Sequence, residues 1–311
     1  MSTNSSEIDR ILHVREIPEP AYSAGVVDVN NNGDENGDGD EILSDRETGV
    51  AAIPNTRWFY ASSVPTNLER TYGGQLVAQA LAAANATVDK KKLHSLHTYF
   101  LKGGDAQLGI DVQVELVRDG RSFANRRVRV FQDEEEICHV SVSYHRSGDT
   151  GPSYGHDMPA VPKPETTPRA VFEDFSKSHT LDHSGDWEAL VVPQEKVGDG
   201  FAPGNRLSMW IRYNGAIIDG DNHHAAALGY ISDSTLLSNA TALEPDRHVQ
   251  MASLDHSMWI FAPFRVDDWL LYDQWSPAAG AGRGFAMGRF FTSDGRLVAM
   301  ATQEGLVRDH R

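Results

Sequence analysis

The chain has 311 residues and carries 28 Lys and Arg against 44 Asp and Glu, a formal net charge of -16. This length allows one large or two medium domains, and this charge would repel nucleic acid and anionic membranes, so neither is expected as a partner. The single cysteine, Cys138, excludes an internal disulfide framework and suits a reducing compartment. It lies in an alternating strand pattern, where we expect an inert buried thiol.

Neither end of the sequence resembles a targeting signal. The N-terminus is polar and acidic, unlike a signal peptide, and the last residues, Asp309 to Arg311, are not a Ser-Lys-Leu address. We therefore predict a cytoplasmic protein and keep a peroxisomal location open.

The first 45 residues divide into two parts. Residues 5–22 predict a short amphipathic helix, with Ile8, Ile11 and Leu12 on its apolar face, and then an extended segment. Residues 26–45 contain seven acidic residues and no basic one. Their spacing is reminiscent of a calcium loop, but flanking helices are not evident, so we predict a disordered acidic insertion.

The stretch from Tyr72 to Val88 has no charged residue and is rich in Ala and Leu, which predicts a helix enclosed by other elements. The basic turn Lys90–Lys92 follows, and then a strand predicted over Leu93 to Asp105. Alternating segments from Gly109 onward, with an Asp119-Gly120 hairpin turn, complete an antiparallel meander. The pattern favours a sheet curled around a central helix.

The second half of the sequence repeats the first. Arg121-Ser122-Phe123-Ala124 is echoed by Arg283-Gly284-Phe285-Ala286, and His97-Thr98 by His256-Ser257, at similar offsets. The second central helix is then predicted over His223 to Leu237, capped by Asp221 or Asn222. We infer a first domain over residues 1–146, a Pro-, Gly- and Ser-rich linker over 147–169, and a second domain over 170–311, with the two sheets paired edge to edge.

Three polar residues of the second half occupy positions where a core residue would be expected to be apolar: Asp233 in the middle of the predicted helix, Ser253 at the start of the neighbouring strand and Gln303 in the last strand. A carboxylate, a hydroxyl and an amide on neighbouring elements could hold one water, whose proton the carboxylate would accept. The first half has no acidic residue in its helix, and Ser143 aligns with Gln303. Alternatively, Asp233 caps a helix that breaks near Ser232, and the other two are ordinary strand residues.

Several long motifs resemble the type II acyl-CoA thioesterases, which are tandem hot-dog proteins: YGGQLVAQAL, LHSLHTYFLKGGD, LDHSMWIF, GRGFAMGRFF and ATQEGLVR. The resemblance implies an α+β double hot-dog fold and hydrolysis of fatty acyl-CoA to free acid and CoA, without metal, cofactor or covalent intermediate. The family's catalytic Asp, Thr and Gln fall on Asp233, Ser253 and Gln303. Ser in place of Thr keeps the hydroxyl but loses the methyl group that stiffens its rotamer. A homodimer or larger homo-oligomer is also predicted.

The substrate needs further contacts, for which the sequence offers weaker candidates. The amides of Gly73-Gly74, before the first central helix, could receive a developing oxyanion. The CoA phosphates need cations, and the richest local sources are Lys90 to Lys92, Arg126, Arg127, Arg129 and Arg283.

Two other functions stay open at this point. One is an enoyl-CoA hydratase that uses Asp255 and His256, since one fold can host several chemistries. The other is a non-catalytic module that binds or senses acyl-CoA.

Overall fold

The computed structural model describes residues 6–25, 55–64, 68–167, 186–193 and 206–310. The α-helices in these ranges are α1 (Glu7–Leu12), α2 (Gly73–Asn85) and α3 (Asp221–Ser232). The strands before residue 150 are β1 (Val14–Ile17), β2 (Thr56–Ala61), β3 (Lys91–Phe100), β4 (Ile110–Asp119), β5 (Phe123–Gln132) and β6 (Glu135–Arg146). The later strands are β7 (Trp187–Val192), β8 (Arg206–Tyr213), β9 (Val249–Ser253), β10 (Asp255–Ile260), β11 (Leu270–Gly280), β12 (Arg283–Thr292) and β13 (Leu297–Asp309).

All described strands belong to one antiparallel sheet. Its order is β1-β2-β4-β5-β6-β3-β10-β13-β12-β11-β8-β7, with β9 paired to β13. The second half of this order mirrors the first, because β10, β13, β12 and β11 correspond to β3, β6, β5 and β4. The halves join where β3 pairs with β10, with Ser257 opposite His97. This confirms the predicted α+β double hot-dog fold and its edge-to-edge pairing.

The two central helices lie in one apolar core. The charge-free stretch forms α2, and its buried residues extend from Gly74 to Ala84, as the absence of a polar face predicts. The shorter amphipathic helix α1 buries Ile8 and Ile11 completely and packs into the same core. No helix in the described ranges is both long and apolar enough to cross a membrane.

The prediction for α3 was wrong at both ends. The helix begins at Asp221, with Gly220 and not Asp221 or Asn222 as its N-cap, and it ends at Ser232. Asp233 is its C-cap residue, and a separate 3₁₀ helix spans Leu237–Thr241. The run of Ser, Asp, Ser and Thr after Ile231 explains the break, because these side chains bond to nearby backbone and compete with the helix. Ser234 does so here, donating its hydroxyl to the carbonyl of Ile231 at 2.7 Å.

The predicted alignment of the first half with the second is also wrong by one residue in two strands. His97 is exposed on the outer face of β3, whereas His256 is fully buried on the inner face of β10, so they are not counterparts. Likewise Ala286 pairs with Gln303 while Ala124 pairs with Tyr144, which puts Tyr144 and not Ser143 in the place of Gln303. Since side chains alternate between the faces of a strand, a shift of one residue exchanges the inner and outer sets.

The connecting segments bear on three further expectations. The acidic insertion, residues 26–45, lies outside the described residues, so its disorder stays a prediction. Within the predicted linker, Met158 and Val161 pack on the outer side of the second half, and the carbonyl of Pro162 accepts a hydrogen bond from the indole of Trp210 at 2.9 Å. Cys138 is buried and its thiol is free, as expected, and burial raises the pKa of this thiol.

Candidate active site

The candidate site lies where the first turn of α2 meets the last turn of α3. The approach is close, because a Cβ added to Gly74 would lie 2.2 Å from the carbonyl oxygen of Tyr230. Only glycine fits there. The hydroxyl of Tyr72, the N-cap residue of α2, donates to the same carbonyl at 2.7 Å. The positive end of the α2 dipole therefore faces the negative end of α3, where Asp233 lies.

Asp233 lies at this junction, with 9% of its surface exposed, so the expectation that it lies in mid-helix was wrong. Its Oδ2 accepts a hydrogen bond from the backbone amide of Gly74 at 2.8 Å. Its Oδ1 accepts one from Nε2 of Gln303. One carboxylate is thus held by both halves of the chain, and each oxygen keeps a lone pair for a further donor.

Gln303 connects Asp233 to Ser253. It lies on the inner face of β13, is fully buried, and its Nε2 also donates to Oγ of Ser253, at 2.7 Å. Ser253 is the last residue of β9, which pairs with β13. The structure therefore brings together the three predicted residues. The carbonyl oxygen Oε1 of Gln303 is buried and has no hydrogen-bond partner among the described residues.

The surroundings of Asp233 favour a base that works near neutral pH. Burial raises the pKa of its carboxyl from 3.8 to about 6, while the bonds from Gln303 and the Gly74 amide oppose this shift. Removal from water disfavours the charged form, and hydrogen bonds to that form favour it. At pH 7 to 8 the carboxyl is therefore mostly ionised, yet it binds a proton far more readily than an ordinary aspartate.

The two glycines proposed for the oxyanion lie beside Asp233, but they differ. The amide of Gly74 already donates to the carboxylate. A Cβ on Gly73 would approach Asp233 Oδ2 to 2.8 Å and the ring of Phe100 to 3.0 Å, so glycine here allows the carboxylate and the ring to lie close to the start of α2. Of the two amides, Gly73 is the better candidate, because the first N–H groups of a helix have no intrahelical acceptor.

Most of the basic residues proposed for the CoA phosphates already bond to other protein groups. Arg126 is 2% exposed and bonds to Thr87 and Asp119, so it is structural and unavailable. Arg283 is exposed but donates to Glu304 at 2.9 Å. Four of the five remaining candidates form ion pairs: Lys90 with Asp89, Lys92 with Asp221, Arg127 with Glu115 and Arg129 with Glu136. Lys91 has no ion pair within the described ranges. Arg283 borders a cavity of 630 Å³ beside β11, β12 and β13.

Asp255 and His256 do not form the pair that a hydratase would need. They are consecutive in β10, so their side chains point to opposite faces of the sheet. Asp255 accepts a bond from the amide of Glu304 at 2.8 Å. His256 is fully buried, its Nε2 lies 2.8 Å from Oγ of Ser232, and burial lowers its pKa to about 4. It is therefore neutral at physiological pH.

The other end of the helix pair carries a different set of residues. There the end of α2 meets the start of α3, and Asn85 donates to the carbonyl of Asn222 at 3.0 Å. The hydroxyl of Tyr144 donates to Oδ1 of Asn85 at 2.8 Å. The side chain of Asn222 bonds to the backbone of Lys91 and Leu93. The side chains of this network are neutral, and none of them is a carboxylate in the place of Asp233. The charged groups nearby, Lys92 with Asp221 and Arg126 with Asp119, are engaged in ion pairs.

Sequence reasoning named His256 for a different role, missed Tyr272, and connected neither of them with Ser232 behind Asp233. Tyr272 donates its hydroxyl to the carbonyl of Ser232 at 2.7 Å, and Ser232 in turn contacts His256. Tyr272 was hidden in an apolar strand segment, DWLLYDQW, where a tyrosine reads as core. A comparison of the two repeats could have revealed Tyr272, because the first half has Val112 and Val114 in the corresponding part of the core.

Comparison with known proteins agrees with this fold. Family models described as the N-terminal and C-terminal domains of acyl-CoA thioesterase match residues 62–145 and 157–307. These matches cover most of the chain, which therefore belongs to the acyl-CoA thioesterase family.

Individual relatives give the same result. The chain is 34% identical to acyl-coenzyme A thioesterase 8 of Homo sapiens, covering 77% of this chain and 81% of that protein. It is 32% identical to acyl-CoA thioesterase 2 of Haemophilus influenzae, covering 80% and 92%. The crystal structure of acyl-CoA thioesterase II TesB2 from Mycobacterium marinum superimposes with a TM-score of 0.74 and 34% identity, covering 97% of this chain and 98% of that one.

Proposed function

We propose that this protein hydrolyses acyl-CoA thioesters to a free fatty acid and CoA, with Asp233 as the general base. The observation that carries the proposal is the arrangement around Asp233, a buried carboxylate with a pKa raised to about 6 that is held by an amide, Gln303, and a helix N-terminus. Membership of the acyl-CoA thioesterase family supports the choice of substrate class.

In the proposed reaction, a water molecule donates one proton to Asp233 as its oxygen attacks the thioester carbonyl carbon. Ser253 and the free Oε1 of Gln303 orient the water, and the amide of Gly73 receives the oxyanion at the N-terminus of α2. When the tetrahedral intermediate collapses, the C–S bond breaks and the proton on Asp233 passes to the departing sulfur. The products are a carboxylic acid and the CoA thiol, and the carboxylate is restored.

The proposal extends to cofactors, assembly and location. We propose that turnover needs no added metal and survives chelators, since Asp233 can activate the water directly. Loss of turnover in a chelator, restored by a metal ion, would contradict this. A homodimer or larger homo-oligomer and a cytoplasmic location remain part of the proposal.

A single assay distinguishes the three candidate functions. The purified full chain is offered saturated and 2,3-unsaturated acyl-CoA, and three signals are followed: release of thiol, loss of the enoyl absorbance, and binding. Hydrolysis predicts thiol release from both substrates with the enoyl group unchanged. Loss of enoyl absorbance without thiol would establish a hydratase, and binding without either signal a non-catalytic module.

A further inference from the structure

Three buried polar residues form a network directly behind Asp233 and take no part in the proposed chemistry. Tyr272, Ser232 and His256 are fully buried, on β11, α3 and β10 respectively. We propose that this network is a positioning device, in which Tyr272 fixes the peptide that carries Asp233 and His256 locks Ser232, the residue before it. The inference rests on the proposed function of Asp233.

Tyr272 contacts the peptide group that joins Ser232 to Asp233. The last carbonyls of an α-helix have no intrahelical donor, and the carbonyl of Ser232 is among them. Tyr272 donates its hydroxyl to that oxygen at 2.7 Å. The same peptide plane contains the nitrogen of Asp233, so a bond to this carbonyl restricts the direction in which the Asp233 side chain leaves the helix.

His256 holds the other side of the same turn. Oγ of Ser232 lies 3.1 Å from the carbonyl of Gly229, to which it donates, and 2.8 Å from Nε2 of His256. The hydroxyl has one proton, so Nε2 must be the donor to it. Nδ1 is then unprotonated, and it has no partner among the described residues. A buried nitrogen lone pair without a donor is less unfavourable than a buried N–H without an acceptor.

The first half of the chain shows that the fold does not require this network. Its counterpart strands place Val112, Val114 and Leu96 in the same core, and the last turn of α2 is capped locally. Thr87 caps the carbonyl of Ala84 with its amide and hydroxyl, as Ser234 caps Ile231 after α3. The carbonyl of Asn85, the last residue of α2, accepts the backbone amide of Val88 at 3.2 Å, where the carbonyl of Ser232 accepts a tyrosine hydroxyl. Buried polar groups are unfavourable unless fully bonded. Of the two central helices, only α3 has its last carbonyl bonded by a buried tyrosine, and α3 is the helix that ends at the carboxylate, which indicates that this tyrosine serves it.

The test uses Tyr272→Phe with Tyr144→Phe as its matched control. Each change removes one buried tyrosine hydroxyl from one end of the helix pair, and both should lower the melting temperature similarly. Tyr272→Phe should reduce kcat about tenfold with KM within a factor of two, because a displaced base loses transition-state contacts and not substrate binding. Tyr144→Phe should leave kcat unchanged. Equal kcat values in the two variants would overturn the proposal.

A second readout does not depend on turnover. The carboxyl carbon of Asp233, assigned by its loss in Asp233→Asn, is titrated by ¹³C NMR. Tyr272→Phe should raise the midpoint of this titration. Without its donor, the carbonyl oxygen of Ser232 keeps its full partial negative charge beside the carboxyl, which disfavours ionisation. Tyr144→Phe should leave the midpoint unchanged. An unmoved midpoint in Tyr272→Phe overturns the positioning role, whereas normal turnover by Asp233→Asn overturns the proposed function instead.

Discussion

The two ends of the central helix pair have the same backbone arrangement and opposite chemistry. At one end, the start of α2 meets the end of α3 around Asp233 and Gln303. At the other end, the end of α2 meets the start of α3 around Asn85 and Tyr144. In the second arrangement the amides and the hydroxyl satisfy one another or the backbone. In the first, a buried carboxylate and an amide oxygen with no partner in the described part of the chain remain able to bind a further group.

The comparison teaches that reactivity here depends on what is left unsatisfied. A completely bonded buried network rigidifies the core and offers no site for a ligand. The Asn85 end is of this kind. The Asp233 end retains proton-accepting capacity in a place from which bulk water is largely excluded, and its pKa of about 6 is the result. The two halves provide two similar ends, and of these only the Asp233 end carries the carboxylate that we propose for hydrolysis.

The largest effect is expected when the carboxylate of one end and the amide of the other are exchanged. Asp233→Asn should lower kcat by about 100-fold or more, since it removes the general base, and should leave substrate binding intact. Adding Asn85→Asp to that variant should not restore turnover, because Tyr144 occupies the place of the orienting amide. Thiol release and binding of a non-hydrolysable acyl-CoA analogue are the measurements. Parental kcat in Asp233→Asn would refute the assignment.

Removing the amide should have a smaller effect. Gln303→Ala should lower kcat about tenfold, because Asp233 keeps its bond from Gly74 but the water loses its orientation. Ser143→Ala, at the position that the sequence alignment paired with Gln303, is the control and should retain parental kcat, since Ser143 bonds to His94 and Asn125 on the other face of the sheet. A loss of equal size in both variants would show that the effect is structural.

The pH dependence should follow Asp233. The base is active when ionised, so kcat/KM should rise with pH, level off above about 6, and be about tenfold below its plateau at pH 5. The profile of Asp233→Asn should lack this inflection. A rise centred near 4 would mean that the carboxyl is hydrated in the working enzyme.

The same shift makes a prediction about stability. A carboxyl whose folded pKa is raised above its unfolded value stabilises the fold at low pH and loses this contribution as the pH rises through about 6. Asp233→Asn should therefore gain stability relative to the parent at pH 8, by at most about 3 kcal/mol for a rise from 3.8 to about 6, and should gain nothing below pH 4. Chemical denaturation at both pH values measures the difference.

The smallest expected effect concerns the hydroxyl at 253. Ser253→Thr should raise kcat about two- to threefold, because a β-branched side chain holds its Oγ in fewer rotamers next to Gln303. Ser253→Ala should lower it. The single-turnover rate is the appropriate measurement, since it excludes product release. If the Thr variant were slower, the space beside Gln303 could not accept the methyl group.

The sequence predicted the parts of this structure that depend on local pattern. The charge-free segment became α2, and the alternating segments became the meander and its repeat. The three site residues came from polar groups in apolar surroundings together with the family resemblance. β2, β7 and β8 were not predicted. The β2 sequence, TRWFYA, is short and does not alternate between apolar and polar residues, and loosely patterned segments precede β7 and β8.

What the sequence could not give was the register between distant elements. Asp233 reads as mid-helix until the helix is seen to end at Ser232, and the bond between Gly74 and Asp233 joins residues 159 positions apart. The partners of Arg126 and the network of Tyr272 are of the same kind. Such contacts are set by how strands pair and helices cross, and a shift of one residue reverses which side chains face inward.

The bond from Gly74 to Asp233 also means that the proposed active site needs residues from both halves of the chain. The first half supplies the helix N-terminus, and the second supplies the carboxylate, the hydroxyl and the amide. The N-terminal segment strengthens the union, since Ser6 donates to the carbonyl of Ala216 at 2.7 Å. A polypeptide cut near residue 150 should thus behave as a split enzyme, whose two separately inactive fragments regain hydrolysis only when they reassemble across β3 and β10.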